Sequence, residues 1–193
     1  CDDYLKAFTD VAQQADYIAV NISSPNTPDL RELHQENYLP SLLKNIRSHN
    51  LEWAKKHDRS PLPCLLKISP DENYKSLELI VSHAIGNSFD GIIATNTSIN
   101  RKPIGGMSSF EKGGLSGEPI KNKSFQTIRF IARLTDYKFP IIGVGGISSK
   151  DDASRKLDAG ASLLQIYSSF VYKGPFFPSS LSNSLAYRKK GWS

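Results

Sequence analysis

The sequence predicts an α/β protein built on a parallel sheet, and three observations carry that expectation. Five short apolar runs, residues 17–22, 64–68, 91–95, 141–144 and 162–167, are too short for helices and lack the alternation of a sheet with one wet face. They therefore read as buried parallel strands. The segments between them carry helical period, so strand and helix alternate as in right-handed βαβ units. Polar loops follow directly on the strands, where parallel α/β proteins assemble their sites. Five strands of one sense suit either an open doubly wound sheet or part of an eight-stranded barrel.

The chain opens on a helix-like run, CDDYLKAFTDVAQQA, whose first residue is Cys1 rather than methionine. That start raises the expectation that residues precede it in a longer protein. The first strand runs into NISSPNT, three hydroxyls and two amides around the turn-forcing Pro25. Leu39, Leu42, Leu43 and Ile46 fall at i, i+3, i+4 and i+7, as do Leu77, Ile80, Val81 and Ala84, each set making one apolar stripe. Ser69-Pro70-Asp71-Glu72 supplies a start signal for the second of these helices. Residues 96–122, rich in Gly, Ser and Lys without apolar period, read as a long loop of the kind used for lids and binding. Ile128, Ile131 and Ala132 mark a further helix. Ser148-Ser149 with Asp151 and Asp152 caps the next, and Gly160 suits its end.

Composition excludes several classes. With 39% hydrophobic and 22% charged residues over 193 positions, the chain has the makeup of one soluble globular domain. No apolar stretch approaches the roughly 18 residues of a membrane span, and the N-terminus shows no signal or transit pattern. The net charge of +5 is spread along the chain, apart from Arg188-Lys189-Lys190, so nucleic-acid binding is not expected. Cys1 and Cys64 lack CxxC or Cys/His spacing, which argues against a disulfide framework or a zinc site. Cys64, opening an apolar run, reads as a buried free thiol.

Chemistry-bearing residues cluster at strand ends. Asn21 and Asn26 can each donate and accept, and Ser24 lies between them. Taken alone, such a loop is also what an ordinary turn looks like. Lys67, inside CLLKIS, must find a partner, lose its proton, or snorkel at the strand end. Thr95-Asn96-Thr97 follows the third strand. GVGGI, holding Gly143, Gly145 and Gly146, joins a strand to a capped helix, so its amides can converge on an anion. Tyr167-Ser168-Ser169 ends the next strand. Glycines and a helix start on the last two strand tips form the phosphate arrangement of (β/α)8 barrels.

NISSPNTPDLREL, LLKISPD, IIATNT, GGLSGEPI, IIGVGGISS and AGASLLQIYSS together resemble the dihydroorotate dehydrogenase family, in its order and with family-like spacing across nearly the whole chain. The resemblance implies a (β/α)8 TIM barrel binding FMN, of which this chain supplies about the last five βα units. Residues 1–193 would then be the C-terminal part of one domain, its first three strands and its quinone-tunnel helices lying outside. The membrane-associated, quinone-using class carries serine where the soluble class carries cysteine as base, and here that position is Ser24. By that resemblance Ser24 takes a proton from dihydroorotate. Asn21, Asn26, Asn96 and Thr97 would bind the substrate ring. Lys67, Thr95, Asn21, Gly117, Gly145, Gly146, Tyr167 and Ser168 would bind FMN. The implied partners are dihydroorotate and orotate, a quinone such as ubiquinone, and a membrane surface reached by a segment outside this chain. The implied location is the mitochondrial inner membrane, or the inner membrane of a bacterium.

Three positions depart from the family pattern. Asp29 stands where NTPGLR has glycine, Ser69 stands where KIAPD has alanine, and residues 99–112 have their own composition. Two further readings remain at this stage: another FMN barrel reducing a pyrimidine-like ring, whose site acid is usually cysteine, and an inactive FMN-binding fragment.

Overall fold

The computed structural model describes residues 2–23, 38–105 and 113–186. Five parallel strands, β1 (Ile18–Asn21), β2 (Cys64–Ile68), β3 (Gly91–Ala94), β4 (Ile141–Val144) and β5 (Leu163–Gln165), form one sheet in simple chain order. A doubly wound sheet requires the strand order to reverse once, which sends helices to both faces. No reversal occurs here. Right-handed crossovers that always step in one direction place every crossover helix on the same face, so the sheet is an arc of a (β/α)8 barrel.

The helices are α1 (Asp2–Val11), α2 (Tyr38–Lys56), α3 (Tyr74–Gly86), α4 (Lys121–Leu134), α5 (Lys150–Asp158), α6 (Ser168–Lys173) and α7 (Phe177–Ala186), with single 3-10 turns at Lys102–Ile104 and Glu118–Ile120. The apolar stripes land as expected. Leu42, Leu43 and Ile46 of α2, Leu77, Ile80 and Val81 of α3, and Ile128 and Ile131 of α4 are buried in one core with Leu66, Ile68, Ile92 and Ile141 of the strands. Each such side chain contributes about 1.5–3 kcal/mol on burial. No helix among the described residues is long and apolar enough to cross a membrane.

Three expectations need correction. Burial on both faces holds for β3 and fails at β2, where Cys64, Leu66 and Ile68 are buried under helices while Leu65 and Lys67 are only half-buried. The inner face of a closed barrel is filled by side chains from strands opposite, and a five-stranded arc brings none. Ser69 does not cap α3. Its hydroxyl accepts from the Asp71 amide at 3.1 Å, closing a turn, and Asn73 caps the helix by accepting from the Ser76 amide at 2.9 Å. The stretch 96–122 is not uniformly irregular: Ser98 pairs antiparallel with Leu115, and α4 already begins at Lys121. The Asp71 carboxylate freed from capping holds the start of that loop, accepting from the Ser98 hydroxyl at 2.5 Å and the Ile99 amide at 2.9 Å. By contrast, Ser149 caps α5 as its sequence indicates, accepting from the Asp152 amide.

Candidate functional site

The carboxyl ends of the strands enclose a cleft of about 680 Å³, within the size range of small-molecule sites. Lys67 from β2, Thr95 to Thr97 beyond β3, Ser116 and Gly117 from the returning loop, Gly145 and Gly146 beyond β4, and Tyr167 and Ser168 beyond β5 line it. Residues far apart in sequence meet there because parallel strands end at one level.

At the β1 side, Asn21 and Lys67 are register partners. The Asn21 Oδ1 accepts from the Ser23 amide at 3.2 Å and from Asn96 Nδ2 at 3.1 Å. The Ser23 hydroxyl reaches the same oxygen at 3.4 Å, and among the described residues the Asn21 Nδ2 is left as a donor for a ligand. Asn96 Nδ2 also reaches the Ser23 carbonyl and hydroxyl, and its Oδ1 accepts from the Thr97 amide at 2.9 Å, so this carboxamide is fixed at both ends. Ser23, buried, donates its hydroxyl to the Lys67 carbonyl at 3.1 Å and ties the three strand ends together. Tyr4 of α1 donates to the Asn21 carbonyl at 2.8 Å.

Lys67 is half-buried, and burial lowers its pKa from the ordinary lysine value. Among the described residues its ammonium has no acid partner. Thr95 is 1% exposed and its hydroxyl lacks a hydrogen-bond partner among the described residues. A buried orphan hydroxyl on a cleft wall is a group awaiting a ligand.

At the far side, Gly145 and Gly146 have φ of +106° and +67°, turning the chain from β4 toward the capped start of α5. A side chain on Gly146 would meet the Lys121 Cβ at 2.4 Å, so the loop approaches α4 as only glycine permits. Gly117 faces Ser168, whose hydroxyl shares a hydrogen bond with Ser116 at 2.8 Å. Tyr167 is 77% exposed on the rim.

Ten of the twelve site residues named from sequence thus sit at this end of the sheet. Ser24 and Asn26 lie outside the described residues. Sequence reading passed over Ser23, hidden by its neighbour Ser24, and Ser116, whose only signal was the GGLSG motif. Cys64 is buried, its thiol pushed up to about 11 by burial, and has no place in the site.

A sequential parallel arc with a cleft at its strand ends defines the class of (β/α)8-barrel proteins. Within that class the chain belongs to the dihydroorotate dehydrogenase family, whose model matches residues 1–188. It is 47% identical over 190 residues to a dihydroorotate dehydrogenase (quinone) of Shewanella baltica, covering 98% of this chain and 55% of that protein. It is 42% identical over 192 residues to the protein of the same name in Chloroflexus aurantiacus, covering 98% and 53%. A crystal structure of DHODH from Eimeria tenella in complex with ferulenol superposes with a TM-score of 0.86 at 31% identity, over 95% of this chain and 52% of that one. The chain spans about half the length of the relatives it matches.

Proposed function

We propose that the protein carrying this chain oxidises dihydroorotate to orotate in pyrimidine biosynthesis, with FMN in the cleft and a quinone as final electron acceptor. The observation that supports this reading best is a single cleft lined by a half-buried lysine at one end and a glycine turn at a capped helix start at the other. Two features of the chain fit FMN: the orphan Thr95 hydroxyl, and the positive-φ turn at Gly145 and Gly146 that leads into the capped start of α5. FMN, when bound, supplies the hydride acceptor and passes electrons on to the quinone.

Lys67 would face the flavin's pyrimidine end, where its ammonium would favour negative charge. Thr95 and Asn21 would hold the same end by hydrogen bonds. Gly117, Gly145, Gly146, Tyr167 and Ser168 would hold the ribityl phosphate. On the substrate side, Asn21, Asn26, Asn96 and Thr97 would orient the ring, and Asn21 Nδ2 is a donor suited to a carboxylate or carbonyl. As the C5–C6 double bond of orotate forms, Ser24 Oγ takes the proton from C5 while a hydride leaves C6. A serine hydroxyl must pass on its own proton to act as base, and Thr97 on the cleft wall or a bound water would take it.

The chain's open end fits the remainder of a barrel. Leu163 of the edge strand β5 is 63% exposed, an apolar side chain that a further strand would cover. The proposal assigns those strands, the quinone tunnel and the contact with a quinone-bearing inner membrane to the rest of the protein. Ser24→Ala in the full-length protein is expected to retain bound flavin and to slow dihydroorotate-driven flavin reduction by about 100-fold or more. An unchanged rate would remove Ser24 from the proposal.

A further inference from the structure

Lys156 is a buried charge for which the proposed reaction has no use. It lies in α5, is 1% exposed, and donates from Nζ to the Ser124 hydroxyl at 2.7 Å. Ser124, itself fully buried in α4, donates to the carbonyl of Val144, the last residue of β4. The same carbonyl accepts from the Thr95 amide at 3.2 Å. A planar trans peptide points its C=O and its following N–H in opposite directions. Two donors on the Val144 carbonyl therefore fix the plane of the Val144–Gly145 peptide, and with it the start of the glycine turn. The contact is close as well, since a side chain on Gly145 would lie 3.2 Å from the Ser124 Cβ.

Among the described residues, the charges around Lys156 leave it without a dedicated counter-ion. Asp152 is its nearest acid influence, but that carboxylate is already paired with Lys121 at 2.8 Å and accepts from the Ser148 amide and hydroxyl at 3.1 and 3.0 Å. Arg155 and Lys121 add positive charge. Burial lowers the Lys156 pKa to about 8, partly countered by Asp152, so the group is largely cationic at neutral pH. Burying an ammonium against one hydroxyl is costly, and that cost is offset where an anion settles nearby.

From this geometry we infer that Lys156, acting through Ser124, is a positioning residue for phosphate recognition: it pins the Val144–Gly145 peptide and lends positive charge behind the glycine turn. The inference rests on the FMN reading of the cleft. In the test, full-length wild type, Lys156→Met and Ser124→Ala are titrated with FMN and with riboflavin, which lacks the phosphate, by quenching of flavin fluorescence. Urea unfolding identifies any variant that fails to fold, and the other variant then carries the comparison. The expected result is an FMN affinity reduced about tenfold with riboflavin affinity unchanged, the size typical of losing a group that orients a ligand-binding residue. Equal losses for both flavins would reduce the Lys156–Ser124 pair to a purely structural role, and unchanged FMN affinity would likewise overturn the inference. Wild type that binds riboflavin but gains nothing from the phosphate would overturn it while leaving a flavin site standing. Wild type that binds neither flavin would remove the FMN reading itself.

Discussion

Gly146 and Gly105 share a backbone conformation and differ in their surroundings, so replacing each by alanine separates two costs. Both have φ of +67°. Alanine in the left-handed region costs about 1–2 kcal/mol from its own Cβ. At Gly105 none of the described residues comes within 4 Å of the added carbon, so the backbone term stands alone. At Gly146 the new carbon would lie 2.4 Å from the Lys121 Cβ and 2.7 Å from its Cα. Lys121 opens α4, and its backbone cannot swing aside as a side-chain tip could. Either the glycine turn or the helix start must shift, an overpacking cost of about 1–3 kcal/mol more. Gly105→Ala should therefore lose about 1–2 kcal/mol and Gly146→Ala about 2–5, read as urea midpoints of the full-length protein at constant m-value. Gly146→Ala should also lose the stabilisation that saturating FMN confers, because the turn holding the phosphate has moved. Equal losses at the two positions would mean that the close approach of the turn to α4 carries no weight.

Lys67→Met removes a half-buried charge at little cost to the fold, and flavin affinity is expected to fall about tenfold; retention of full affinity would return Lys67 to a passive place at the strand end. Asp152 yields a pH prediction. Burial opposes its charge, but hydrogen bonds from Lys121, Ser148 and Ser149 win and lower its pKa from 3.8 to about 2. A folded pKa below the unfolded one gives stability that is complete above about pH 4 and is lost as pH falls through 2. The shift corresponds to roughly 2 kcal/mol. The stability gap between wild type and Asp152→Asn should hold steady from pH 7 to 5 and close toward pH 2, and a gap independent of pH would show that the carboxylate's charge is not what matters.

The strands were legible because each is a dense apolar run, and the helices α2, α3 and α4 because their apolar stripes repeat at helical spacing. What the residues alone left open was the architecture: barrel and doubly wound sheet share the same local pattern, and only the pairing order, a long-range fact, separates them. Helix α6 is too short to show a period, and α7 carries Pro178 in its first turn, so neither announced itself. The Ser69 signal misled because Asn73, four residues on, competes for the same role and sits at the true helix start. Lys67 stood out as a charge amid apolar neighbours. Lys156 did not: SRKLD reads as an exposed helical face, and its partner Ser124 lies 32 residues away on another helix.

The most direct test of the proposed reaction is the visible spectrum of the full-length protein, loaded with FMN and mixed anaerobically with dihydroorotate. Bound flavin should bleach on mixing and recover when a quinone is added. Flavin that binds and stays oxidised in the presence of dihydroorotate would contradict the proposed activity, and a protein that takes up no flavin would contradict the reading of the cleft from which it starts.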